Sequence, residues 1–182
     1  MTKGDHWIQK LQRLFIIALF GSIIFVTNMF LPSPLNYLVI VVQAVLLALS
    51  GLFTPKIGAM SAGAVGGLLT ALIGGGALGP FTFIFAFLFG VFVDVFLFIF
   101  KVKGCPQGTS RNRLMAAMAV STLLIAVSSY LSFTTGFFYF SLLVERSLML
   151  DALVMFMGPV TGAVAGYAAS YLWNKYLRHI NI

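Results

Sequence analysis

The chain has 182 residues, of which 60% are hydrophobic and only 8% charged, and its mean hydropathy is +1.05. A water-soluble domain carries roughly 25% charged residues, so that class is excluded and lipid is the expected solvent. The net charge of +7 does not point to nucleic acid, because the bases lie between apolar runs and not on one amphipathic face.

Six apolar segments of spanning or near-spanning length follow one another, where a crossing needs roughly 20 residues. The first runs from about Leu11 to Leu31 and is stopped by "PSP" at Pro32 to Pro34. It offers no small-x-small cleavage site, so it reads as an uncleaved helix and not as a signal peptide. Ala18 and Ser22 form a short small-residue pair on it, and Thr27 and Asn28 lie near its far end. The second segment, Leu35 to Phe53, places Asn36 and Gln43 on one face. The third, Ile57 to Ile73, carries Ala59, Gly63 and Gly67 in register. The fourth, Phe81 to Phe100, holds nine phenylalanines and a single acid, Asp94, with Gly90 one turn before it and Lys101 on the same face. Its "FTFIFAFLF" alternates like a strand, but both faces are apolar and the run is too long, so a helix is expected. The fifth, Leu114 to Leu131, ends in Ser128, Ser129 and Tyr130. The sixth, about Leu148 to Trp173, carries Asp151, Gly158, Gly162, Gly166 and Ser170 on one stripe, with Pro159 inside it.

These segments predict an all-α integral membrane protein, a single bundle of six transmembrane helices. A cytoplasmic N-terminus puts Lys3, Lys10, Arg13, Lys56, Lys101, Lys103, Arg111, Arg113, Lys175 and Arg178 inside and only Arg146 outside. That bias sets both termini in the cytoplasm of a plasma-membrane protein.

Small residues four apart let helices approach closely in lipid. The stripes at Gly158, Gly162 and Gly166, and at Ala18 and Ser22, therefore read either as bundle packing or as a surface for another membrane protein. Charged groups at membrane depth are costly and commonly functional. Asp94 lies about 21 Å in from Pro80 at helical rise, in the cytoplasmic half. Three readings apply to it: a bond to a neighbouring helix, with Lys101 as one candidate partner, coupling to a partner subunit, or substrate contact.

The outer half is richer. Gln43 sits about 12 Å below the Pro34–Leu35 turn. Together with Asn36, Asp151, Glu145, Tyr130 and Tyr139 it makes a candidate substrate site of amides, carboxylate and aromatics, suited to a small polar molecule with a ring. Gln43 fits ligand contact and an inter-helix hydrogen bond equally. Asp151 fits ligand contact or a helix cap, and Glu145 lies about 120° off the glycine stripe, beside Arg146.

No catalytic constellation accompanies these groups. GxxxxGK[ST], GxSxG and HExxH are absent, and the GxGxxG at Gly74 to Gly79 follows an apolar run of membrane length, not a strand. One cysteine, Cys105, excludes an internal disulfide, and His6 and His179 near the termini give no metal-ligand spacing. Neither an enzyme nor a metal or cofactor site is expected.

The stretch "LFIIALFGSIIFVTNMFLPSPLNYLVIVVQAVLLALSGLFTPKIGAMSAGAVGGLLTALIGG" and the terminal "GPVTGAVAGYAASYLWNKYL" resemble the substrate-binding S components of energy-coupling factor (ECF) transporters. The likeness lies in the proline-containing link after the first helix, the glycine- and alanine-rich opening of the third, and a last helix with spaced glycines and a basic end. It implies capture of a vitamin or related micronutrient from outside. A transmembrane T component and two cytoplasmic ATPases would power release as the S component topples in the membrane. Ala18-x-x-x-Ser22 is similar to the family's small-residue contact on the first helix. "FGVFVDVF", with Gly90 and Asp94, looks similar to the thiamine and hydroxymethylpyrimidine branch. The alternative is a self-sufficient secondary transporter or channel with Asp94 and Asp151 as a proton or cation relay, for which internal inverted repeats would speak.

Overall fold

The computed structural model describes residues 3–30, 36–54, 57–73, 81–102, 104, 108–134 and 148–177. Among them the chain is all helical: α1 (Lys3–Phe30), α2 (Asn36–Phe53), α3 (Gly58–Ile73), α4 (Phe81–Ile99), α5 (Arg111–Thr134) and α6 (Leu148–Leu172), with a π-helical turn at Trp173–Leu177. The apolar runs locate these helices, but two reach beyond them. α1 begins near the N-terminus, well before Leu11, and α5 takes in Arg111, Asn112 and Arg113. Helices continue past their apolar segments because polar residues such as Lys, Gln and Arg are good helix formers.

Neighbours run α1, α3, α4, α5, α6 around the bundle, and α2 closes the ring while touching all five others. This central position matches the burial of Ala44, Leu47, Ala48, Leu49 and Leu52 on α2, which join Val93, Leu97, Leu114, Met118, Ala165 and Trp173 in the core. Outward faces are apolar as well: Phe98 and Phe156 are each 83% exposed and Leu72 is 74% exposed. Three stretches, Leu11–Met29, Thr82–Ile99 and Arg111–Ser132, are long and apolar enough to cross a membrane by length and composition.

Two ends of the bundle can be told apart. One gathers the C-terminal ends of α2, α4 and α6 with the N-terminal ends of α3 and α5. There Lys101 closes α4 in a left-handed conformation (φ 52°). Its N–H bonds the carbonyl of Phe98 at 3.0 Å, and the Val102 N–H bonds that of Leu97 at 2.8 Å. This paired pattern is a Schellman cap, usually built on glycine. Lys101 thus terminates the helix and does not pair with Asp94.

At the same end Asn174, in the π-helical turn, grips the chain ahead of α5. Its Oδ1 accepts from the Thr109 N–H (2.7 Å) and its Nδ2 donates to the Thr109 carbonyl (3.1 Å). Gly108 beside it has φ 106°, a left-handed conformation that glycine adopts without strain. Trp173 packs edge-on against Phe53 (4.9 Å between ring centres). Arg111 lies 3.9 Å over the Tyr167 ring, a cation–π contact tying α5 to α6.

Asp94 also acts here, and it is a cap for another helix. The Ala59 N–H donates to Oδ1 (3.1 Å) and the Met60 N–H to Oδ2 (2.8 Å). The first N–H groups of a helix have no partner within it, and a carboxylate suits the positive end of the helix dipole. Gly90 makes the approach possible: a Cβ there would lie 2.5 Å from the Ala59 carbonyl oxygen and 2.8 Å from the Met60 Cα. One turn separates the glycine that lets α3 in from the acid that holds it. Of the three readings of Asp94, the geometry describes the bond to a neighbouring helix.

Candidate ligand-binding cavity

The opposite end of the bundle holds a cavity of about 440 Å³ between five helices. Four of them contribute residues at helical spacing, and α1 contributes one. α4 supplies Thr82, Phe85, Ala86 and Phe89, α5 supplies Thr122, Ile125, Ala126 and Ser129, and α6 supplies Met157, Gly158 and Thr161. Ile40 and Gln43 come from α2 and Asn28 from the end of α1. The size falls in the range of small-molecule pockets, and so does a mostly apolar wall with a few polar groups.

The polar groups on the wall divide by what they already bond. Thr122 returns its hydroxyl to the carbonyls of Met118 and Ala119 (2.9 Å each), and Thr161 bonds the Gly158 carbonyl at 2.8 Å. Asn28, Thr82, Gln43 and Ser129 form no side-chain hydrogen bond among the described residues, which leaves two amides and two hydroxyls for a guest. No charged side chain belongs to the described part of the wall.

The expected site residues are placed unevenly. Gln43 is on the wall, and so is Asn28. Asn36 is the first residue of α2 and Asp151 lies in the first turn of α6, but both side chains fall outside the described residues, as do Glu145 and Tyr139 altogether. Tyr130 is half-buried on α5 next to Ser129 and does not line the cavity. Asp94 belongs to the other end of the bundle and is not on the wall.

The glycine stripes are spent on packing inside the bundle. A Cβ on Gly162 would meet the Thr122 hydroxyl and lie 2.5 Å from the Met118 carbonyl, and one on Gly166 would lie 2.8 Å from the Met115 Cα. Gly63 and Gly67 face Ala86 of α4 in the same manner, and Gly66 faces Ile24 of α1. Ala18 and Ser22 differ. Both are exposed, while Gly21 between them packs against Val65 of α3.

Sequence reading missed Phe85, Phe89 and Thr82. The signal was present as the i, i+3, i+4, i+7 spacing of Thr82, Phe85, Ala86 and Phe89, but in a helix apolar all round no face stands out.

Comparison with known proteins finds no matching family model, no matching curated protein and no matching solved structure.

Proposed function

We propose that the chain is the membrane-embedded, substrate-binding subunit of an ECF-type importer. In this reading all six helices cross the plasma membrane and both termini lie in the cytoplasm. The observation that carries the reading is the cavity: five helices converge on it at one end, and the basic residues Lys101, Arg111, Arg113 and Lys175 gather toward the other. By the positive-inside rule the cavity end then faces outside, where a nutrient arrives. The resemblance to S components supplies the rest: a transmembrane T component and two ATPase subunits as partners, and a vitamin or related micronutrient as cargo. A thiamine-like compound or its pyrimidine precursor is the leading candidate.

Phe85 and Phe89 offer faces for a ring, and Gln43, Asn28 and Ser129 offer neutral hydrogen-bonding groups. The exposed Ala18–Ser22 pair leaves a small-residue face of α1 uncovered by the chain's own helices, as docking on a T component requires. Against the relay alternative stand the bonds that Asp94 accepts from the amides of Ala59 and Met60.

The decisive experiment is affinity purification of the tagged chain from its native membrane. A T component and an ATPase pair are expected with it, and ATP should drive uptake once the complex is reconstituted. Uptake by the chain alone, driven by an ion gradient, would replace this reading with the secondary transporter.

Orientation has its own test. Cys105 lies outside the described residues, in the segment joining α4 to α5. It should resist membrane-impermeant thiol reagents in intact cells and react after permeabilisation. Labelling in intact cells would turn the bundle over and put the cavity inside.

A further inference from the structure

Thr82 stands apart from the other hydroxyls of the cavity. Its Oγ1 is sealed from water and has no hydrogen-bond partner among the described residues, although the residue lines the wall. Threonine and serine inside helices commonly bond back to the carbonyl three or four residues earlier. Thr27, Thr70, Ser121, Thr122, Ser132, Thr161 and Ser170 all do so here. Thr82 has no such carbonyl within its helix, because α4 starts at Phe81. A buried hydroxyl without a partner is unfavourable, so this one is retained at a cost to the bundle.

Resting on the reading of the cavity as a substrate site, we propose that Thr82 determines specificity by hydrogen bonding to the bound molecule, and that this molecule is an uncharged ring compound. The ring lies against Phe85 and Phe89, one and two turns further along the same face of α4. Its polar edges meet the Thr82 hydroxyl and the Gln43 amide. Rotation about χ1, between the two rotamers threonine populates in helices, brings the hydroxyl onto the wall. The described wall favours an uncharged guest, and of the two leading candidates the pyrimidine precursor over cationic thiamine: amides and hydroxyls satisfy polar edges, but no carboxylate or base among them balances a full charge in an apolar enclosure.

The test uses the full chain in detergent micelles, titrated with three uncharged ring compounds (hydroxymethylpyrimidine, pyridoxine and nicotinamide), with cationic thiamine, and with ringless 1,6-hexanediol. At least one uncharged ring compound should bind saturably and more tightly than thiamine or the diol. Thr82→Val should weaken it about 3- to 10-fold, the worth of one neutral hydrogen bond, and Thr82→Ser should stay within about 2-fold of the parent because the donor is kept. In the absence of probe, Thr82→Val should melt higher than the parent, since a methyl replaces the unpartnered hydroxyl. These opposite signs separate ligand contact from a purely structural role. Unchanged binding by Thr82→Val overturns the Thr82 assignment, and tighter binding of thiamine or the diol overturns the ligand class; both leave the binding-subunit reading standing. No saturable binding of any probe overturns the uncharged-ring proposal, and recovery of the ATPase pair with the chain then decides whether the transporter reading survives it.

Discussion

Asp94→Ala is expected to lower the stability of the bundle by about 2–4 kcal/mol. The carboxylate accepts from two successive backbone amides of α3 at 3.1 and 2.8 Å, and a hydrogen bond to a charged group contributes about 1.5–3 kcal/mol. Alanine cannot reach those amides, which leaves the part-buried first turn of α3 without its acceptor. Asp94→Asn should cost roughly half as much, because its Oδ1 still accepts while its amide nitrogen faces a second donor. Thermal or denaturant unfolding in micelles measures both. Because Asp94 does not line the cavity, the folded fraction of each variant should keep the parent's affinity. An Asp94→Ala protein within about 0.5 kcal/mol of the parent would mean that solvent or lipid headgroups satisfy α3 equally well.

The role of Asp94 illustrates how far sequence could be taken. Its helix and the glycine one turn before it were legible, and a bond to a neighbouring helix was one of the three expectations for it. Its actual partners were not, because backbone amides leave no trace in a sequence. Lys101, the one side chain named as a candidate partner, was the wrong place to look. The same holds for Asn174, whose two bonds go to the main chain of Thr109. The apolar bodies of the helices, by contrast, were readable from length and hydropathy, whereas the polar beginnings of α1 and α5 were not.

The cavity divides along similar lines. Gln43 was found because an amide is conspicuous on an apolar helix. Thr82, Phe85 and Phe89 were not, because α4 is hydrophobic around its whole circumference and only the neighbours decide which stripe is enclosed. The expected outer carboxylates and tyrosine, Asp151, Glu145 and Tyr139, have side chains outside the described residues.

The glycine stripe of α6 gives the second large effect, and within it sequence sees equals where the structure does not. Gly158, Gly162 and Gly166 are spaced four apart on one face, yet their surroundings differ. A Cβ on Gly162 would run into the Thr122 hydroxyl and sit 2.5 Å from the Met118 carbonyl oxygen, whereas the nearest atom to a Cβ on Gly158 is the Thr122 carbonyl at 3.4 Å, an ordinary contact. Thr122 cannot simply turn aside, because its hydroxyl is bonded to the carbonyls of Met118 and Ala119. Gly162→Ala should therefore push α6 away from α5 and cost about 1–3 kcal/mol, the usual range for overpacking, and Gly162→Leu should cost at least as much. Gly158→Ala should be neutral or stabilise by up to about 1 kcal/mol, since alanine is the better helix former and the space exists. Because Gly158 lines the cavity, its added methyl should alter ligand affinity without lowering the melting temperature. Paired melts of the two alanine variants in the same detergent measure the difference in sign. If both destabilise equally, the helices meet along the whole stripe and the space beside Gly158 is not there. If neither does, α5 and α6 are not packed face to face, and the wall of the cavity that they build goes with them.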